Sequence, residues 1–277
     1  MKVRLIQFSP NLGDVEKNLG FHKRKTDEAK NDGIDLLIFP ELSVSGYQMK
    51  DIVYDIAIKP DDDVIGFFKD ISKDIAIIAG MPYEEKTGII YNAALCFDNG
   101  DISHIHRKVQ LPNFGMFEEK MIFKGGEKFE SFMIGDMRVG ILICREILFP
   151  VNAYLYYLQD TDFLIGISNS PHRGMTEKGY SSHKLWERSG EVFSINFHQH
   201  YVFVNRTGFE DGIGFGGGSF YSSPGIGIKN SAKYYEDDVI DIEINGDDLR
   251  PSRISSNFLR DEMSMVVLNE LKRIIDV

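Results

Sequence analysis

Short apolar runs recur along this chain, each stopped by a polar or turn-forming residue, and they restrict its fold more than any other feature. Ile34-Asp35-Leu36-Leu37-Ile38-Phe39 ends at Pro40, and Ile75 to Ala79 is wholly apolar. Gly140 to Ile143 runs into Cys144, and Phe163 to Ile167 runs into Ser168-Asn169-Ser170-Pro171-His172. Helical patterns lie between the early runs. Asp14 is placed to cap a helix with Val15, Leu19, His22, Thr26 and Ala29 on one face, closed by Asn31-Asp32-Gly33, and Val64 to Ser72 reads as a second helix. Apolar strands alternating with helices are an α/β pattern.

The middle of the chain reads as antiparallel. Ile89 to Phe97 and Ile102 to Arg107 flank Asp98-Asn99-Gly100-Asp101, a strong hairpin turn. Phe132 to Ile134 pairs with Arg138 to Ile143 around Gly135-Asp136. A short helix over Asn152 to Leu158, a helix over Ser182 to Phe197 and a strand over Tyr201 to Asn205 follow. Gly208 to Gly218 carries six glycines and is expected to be a loop, with late strands at Ser219 to Tyr221, Gly225 to Ile228 and Val239 to Ile244. Met263, Val267, Leu271 and Ile274 stand at helical spacing, which predicts a C-terminal helix at about 261–275 packed on a neighbour. No linker or repeat divides the chain, so residues 1–277 are expected to form one domain.

A net charge of -11 argues against nucleic acid or an anionic membrane as partner, because phosphate binding needs clustered cations. No apolar run reaches the ~18 residues of a membrane span. Met1 to Leu5 enters a strand directly with no signal-peptide architecture, and two cysteines make no disulfide framework. A cytoplasmic location is the expectation.

Three strand ends deliver three different chemical groups. Phe39-Pro40 is followed by the carboxylate of Glu41, His106-Arg107 by the ammonium of Lys108, and Ile143 by the thiol of Cys144. Singly, each has an ordinary alternative: a helix cap, a surface lysine, a small core residue. If the strands are neighbours in one sheet system, the three groups meet at one edge, where α/β active sites form.

Together these stretches resemble the nitrilase, or carbon–nitrogen hydrolase, superfamily with its Glu-Lys-Cys triad. The matching words are Phe39 to Tyr47, Arg107 to Glu119 and Ile143 to Pro150, supported by Gly80-Met81-Pro82, Tyr91-Asn92-Ala93-Ala94, Asn205-Arg206-Thr207-Gly208 and Phe215 to Ser219. The resemblance runs from about Val3 to Ile244 and implies a four-layer α-β-β-α sandwich that commonly dimerises through helices, with the C-terminal helix as a candidate dimer element. It implies a cysteine-dependent amidase acting on a small carboxamide, with no cofactor and no metal. Glu41 would be the base, Cys144 the nucleophile, and Lys108 with the backbone N–H of Arg145 the oxyanion's partners. Glu119 is the expected second glutamate, with Glu118 as the alternative. Phe114, Ser170 and His172 are expected to line the substrate pocket.

The competing expectations are a nitrilase acting on C≡N, a glutaminase subunit serving a separate synthetase, and a silent scaffold. Leu111 to Phe117 most resembles the glutamine-hydrolysing domains of NAD synthetases; with 277 residues and no room in them for a synthetase domain, a stand-alone enzyme is the expectation. Arg145 departs from the family's pattern. Its guanidinium either binds a substrate carboxylate or pairs with a nearby acid, and the pairing is the favoured expectation. Gly212 to Gly217 satisfies a GxGxxG string, but the strand-like Ser219-Phe220-Tyr221 after it cannot receive a pyrophosphate. The His104/His106 and His198/His200 pairs lack a third metal ligand and are read as structural, as is Cys96.

Overall fold

The computed structural model describes residues 1–176, 179–256 and 261–275. Two six-stranded sheets carry the fold. The first runs Asp238–Glu243, Lys2–Gln7, Leu36–Ile38, Ala76–Lys86, Ile89–Asp98, Asp101–Arg107 from edge to edge. The second runs Gly227–Ser231, Phe220–Ser223, His200–Asn205, Phe163–Ser168, Met137–Ile143, Phe132–Ile134. Each has three parallel strands at its heart and antiparallel strands outside them. This is why the apolar runs are continuous: a parallel strand between other layers has no solvent face.

Alternate residues of one strand serve different cores. Leu36 and Ile38 face the second sheet and share a cluster with Ile141, Ile143 and Ile165. Leu37 and Phe39 face the other way, against Ala29, Val64 and Phe68 of the helices Val15–Asn31 and Asp63–Ile71. On the far side, Pro150–Tyr157 lays Tyr156 on Gly140, and Ser181–Asn196 packs Phe193 and Trp186 onto the second sheet. Helix, sheet, sheet, helix is the four-layer order expected.

Several local expectations hold closely. Asp14 caps its helix by accepting from the Lys17 N–H at 3.1 Å, and Gly33 closes it at φ +69°. Asn99 and Gly100 take φ 52° and 77°, the paired positive values of a two-residue hairpin turn. Gly208 to Gly218 is not a loop. Thr207–Glu210 and Ile213–Gly216 form an antiparallel hairpin around Asp211 and Gly212, at φ 50° and 78°. Its glycines admit close neighbours: a Cβ on Gly214 or Gly216 would meet the rings of His172 or His183 within 2.4 Å.

The C-terminal helix spans Ser264–Ile275 but buries no residue, so the expected packing on a neighbour is absent among the described residues. No described helix is long and apolar enough to cross a membrane, and no described cluster of His, Cys, Asp and Glu suits a metal ion.

Buried histidines make a measurable demand. His22 bonds the Asn18 carbonyl and Ser43 Oγ, and His200 bonds Tyr221 and the Asn245 carbonyl. His104 stacks on Phe132 at 4.2 Å. His198 sits before the strand, at φ 51°, with Nδ1 against Ser252 Oγ, so it shares no strand face with His200. Burial lowers His22, His104 and His200 from 6.5 to about 4. They are neutral when folded, whereas the unfolded chain takes up protons below about 6.5. Their contribution is therefore intact above pH 6.5 and is lost as the pH falls toward 4, by at most about 1.4 kcal/mol per histidine per pH unit. Urea titrations at pH 7, 5.5 and 4.5 should show several kcal/mol lost; equal stabilities at all three would refute this account.

Candidate active site

The three strand ends come together across the gap between the sheets. The first sheet supplies Glu41 and Lys108, and the second supplies Cys144. All three are buried, Glu41 and Lys108 with no exposed surface. Lys108 Nζ donates to Glu41 Oε1 at 2.6 Å and to Glu119 Oε1 at 2.8 Å. Of the two neighbouring glutamates it is thus Glu119 that enters, while Glu118 is exposed.

Each group is held by its local chain. After the Leu36–Ile38 strand the backbone bends over Gly80, which the Glu41 turn crosses so closely that a Cβ there would lie 2.3 Å from the Leu42 nitrogen. Leu42 itself takes φ 46°. Glu41 Oε1 also accepts from Asn92 Nδ2 at 2.8 Å, and Oε2 from the Asn169 N–H at 2.7 Å. Cys144 sits at φ 47° where the Met137–Ile143 strand breaks into the tight helical turn Cys144–Leu148. A non-glycine residue there costs about 1–2 kcal/mol, a strain typical of functional corners.

Glu146 buckles the two sheets together. Its carboxylate accepts from the Ile143 N–H at 2.6 Å, the Val109 N–H at 2.6 Å and His106 Nε2 at 2.8 Å. One buried side chain thus ties the chain just before Cys144 to the chain just after Lys108.

The charges are lopsided, with one ammonium between two carboxylates. Burial alone would lower Lys108, but Glu119 and Glu41 overcome that and raise it well above the ordinary lysine value, so it stays charged. Burial raises Glu119, and Glu41 adds to the effect against the pull of Lys108. Tyr47 donates to Glu119 Oε1 at 2.7 Å, while Glu119 Oε2 is buried without a partner among the described residues. Burial, then the nearby Glu41, pushes the Cys144 thiol up to about 12, so it rests protonated.

Cys144 opens into a cavity of about 280 Å³ lined by Phe114, Phe117, Arg145, Ser170, Arg173 and Trp186, among others. Ser170 Oγ accepts from Trp186 Nε1 at 2.7 Å. His172 is not there. It lines a separate depression with Phe209, Phe215 and Tyr235, because the chain reverses at Pro171, which bridges to Phe215. Arg145 does not pair with an acid either. Its guanidinium lies 5.1 Å over the Phe114 ring and 5.4 Å over Phe149, with no carboxylate partner among the described residues. A larger hollow, of about 1080 Å³, opens at Met1, Asp136 and Arg253 and contains none of these groups.

Sequence reasoning placed Tyr47 and Asn92 within the matched stretches but foresaw neither their bonds nor those of Asn169, nor the buckle made by Glu146. Asn92 had a local signal, a polar residue in an otherwise apolar strand. Nothing local fixed the place of Tyr47 beyond its matched stretch, since the misread hairpin holds it: Glu210 pairs with buried Arg206 and accepts the Tyr47 and Gln48 N–H groups, both at 2.9 Å.

Residues 2–254 match the carbon–nitrogen hydrolase family model. A glutamine-dependent NAD(+) synthetase of Thermotoga maritima is 29% identical over 254 residues, 90% of this chain. The chain spans only 42% of that relative's length. A nitrilase of Pyrococcus abyssi is 27% identical and matched over 92% of this chain and 94% of its own length. In fold, a carbon–nitrogen hydrolase from Helicobacter pylori G27 superposes with a TM-score of 0.89 over 98% of both chains, at 21% identity.

Proposed function

The chain belongs to the carbon–nitrogen hydrolase family, and within it we propose a cysteine-dependent amidase that cleaves a small carboxamide to acid and ammonia. The observation that carries this is the buried Glu41–Lys108–Glu119 cluster beneath a protonated thiol at a cavity of ligand size.

Glu41 takes the Cys144 proton as sulfur attacks the carbonyl carbon, so the unfavourable free thiolate never accumulates. The oxyanion is stabilised by Lys108 and by the Arg145 N–H, which in the first turn after the strand has no helical partner. The C–N bond breaks as Glu41 returns the proton to nitrogen, leaving a thioester on Cys144. Glu41 then takes a proton from water as its oxygen attacks the thioester; the C–S bond breaks and the proton returns to sulfur. Glu119 Oε2, buried and unpartnered, suits an amide N–H of the substrate. Phe114 and Ser170 shape the cavity wall.

Ammonia release from glutamine, asparagine, short aliphatic amides, carbamoyl compounds and nitriles, with Cys144→Ser as control, tests this reading. Cys144-dependent release from an amide is expected. No release from any compound, with Cys144 inert to alkylation, would leave only a scaffold role. Iodoacetamide labelling of Cys144 should keep rising through pH 9–10, because the thiol stays protonated to about 12; a plateau near the ordinary thiol value of about 8.5 would contradict the burial argument. The similarity to NAD(+) synthetases favours a second reading, a glutaminase serving a separate ammonia-using synthetase. Under it, glutamine would be the best amide on the panel.

The free Cys96 and Cys144 fit a reducing, cytoplasmic setting. The exposed apolar side chains of Ser264–Ile275, among them Val267, Leu271 and Ile274, support association into a homodimer or larger homo-oligomer. Replacing Val267 and Leu271 by glutamate should then lower the sedimenting mass; an unchanged mass would remove that helix from the interface.

A further inference from the structure

We propose that the amide cleaved at Cys144 carries a carboxylate, held at the cavity mouth by the guanidinium groups of Arg145 and Arg173. This rests on the amidase reading and goes beyond it, since it names the substrate's charge.

Both arginines line the Cys144 cavity, and among the described residues no aspartate, glutamate or lysine lines it with them. That is a local reversal of sign in a chain with 42 acidic and 31 basic residues. Arg4, Arg107, Arg206, Arg253 and Arg273 all pair with carboxylates of the chain. Arg145 and Arg173 have neither an ion pair nor a side-chain hydrogen bond among the described residues.

They are nevertheless placed. Arg145 lies over Phe114 and Phe149, and Arg173 lies 4.9 Å over the Phe117 ring. Phe114 and Phe117 touch edge to face, 5.3 Å apart, across the tight turn at Gly115, φ +60°. Two guanidiniums are thus braced on one aromatic pair. Stacking engages the flat face of a guanidinium and leaves its N–H edges free, and those edges match a carboxylate bidentately. The rest of the wall, with Pro112, Leu148, Leu185 and Trp186, supplies apolar contact for a short carbon chain, and a volume of about 280 Å³ limits its length.

A neutral amide would leave two guanidiniums unanswered; a carboxylate would answer both. One charge-assisted bond is worth about 10- to 100-fold in affinity.

Matched pairs of amides test this: succinamate against butyramide, and glutaramate against valeramide. The native enzyme should favour the anionic member of each pair by about 10-fold or more in kcat/KM. Arg145→Gln and Arg173→Gln should pull that ratio toward one through KM for the anion, and Arg145→Lys should restore part of it. A second readout needs no turnover. Cys144 labelling by iodoacetate relative to iodoacetamide should fall about 10-fold in the double glutamine variant. A ratio at or below one for native enzyme that still releases ammonia through Cys144 overturns this proposal and leaves the amidase reading standing. An unchanged labelling ratio in the double variant also overturns it. Ammonia from neither member of either pair, with Cys144 unlabelled, removes the amidase reading and this one with it.

Discussion

Replacing Lys108 by methionine is expected to abolish turnover, by about 1000-fold or more, and to destabilise the fold by about 3–5 kcal/mol at neutral pH. Both effects come from one geometry. Lys108 is the only cation bonded to the Glu41 and Glu119 carboxylates among the described residues, at 2.6 and 2.8 Å, and all three side chains are buried. Without it, two carboxylates remain close together in a site that excludes water, and the developing oxyanion loses its positive partner. The two losses separate. In Lys108→Met/Glu119→Gln one acid has been neutralised, so much of the stability should return while activity should not. Chemical denaturation and ammonia release measure the two independently. If the single variant is as stable as the parent, the cluster does not depend on charge balance.

Replacing Cys144 by alanine should reduce turnover to background, a loss of about 10,000-fold or more, because the acyl intermediate forms on its sulfur. Stability should barely change. The thiol is small, it rests protonated, and its removal leaves Glu41 with its bonds to Lys108, Asn92 and Asn169. Circular dichroism and thermal melting would show a native fold around a dead site. Residual turnover above a Glu41→Gln control would mean that water attacks directly, and the covalent route would be wrong.

Much of the fold was legible because its strands are buried on both faces. Where a strand lies between layers, its residues are apolar whichever way they point, and the runs at Leu36–Ile38, Ile75 to Ala79 and Phe163 to Ile167 stand out unaided. Turn chemistry was equally local at Asn99-Gly100. The same logic was available at Asp211-Gly212 and was overridden by the density of glycine around it. Gly214 and Gly216 report tight packing against His172 and His183, not irregular chain. The exposed C-terminal helix shows the converse: helical spacing foretold the element and could not say whether this chain supplies its partner.

The site divides in the same way. Glu41 and Cys144 were marked by position, each the first chemically capable residue after an apolar run, and Lys108 by its place just past the end of a strand. Arg145 and His172 were not decided by position. A guanidinium goes where acids or ring faces are offered, and here Phe114 and Phe149 offered faces. His172 follows a chain reversal at Pro171 that depends on the distant Phe215.

By itself, then, the sequence determined the elements and the residues that end them, because strand burial, turn propensity and helix caps act within a few residues. Only the tertiary structure decided which of those ends meet. The Lys108 bonds to Glu41 and Glu119, the Tyr47 bond to Glu119, and the Glu146 buckle between sheets join residues 11 to 72 positions apart. Their free energies exist only once burial has removed water from between the partners.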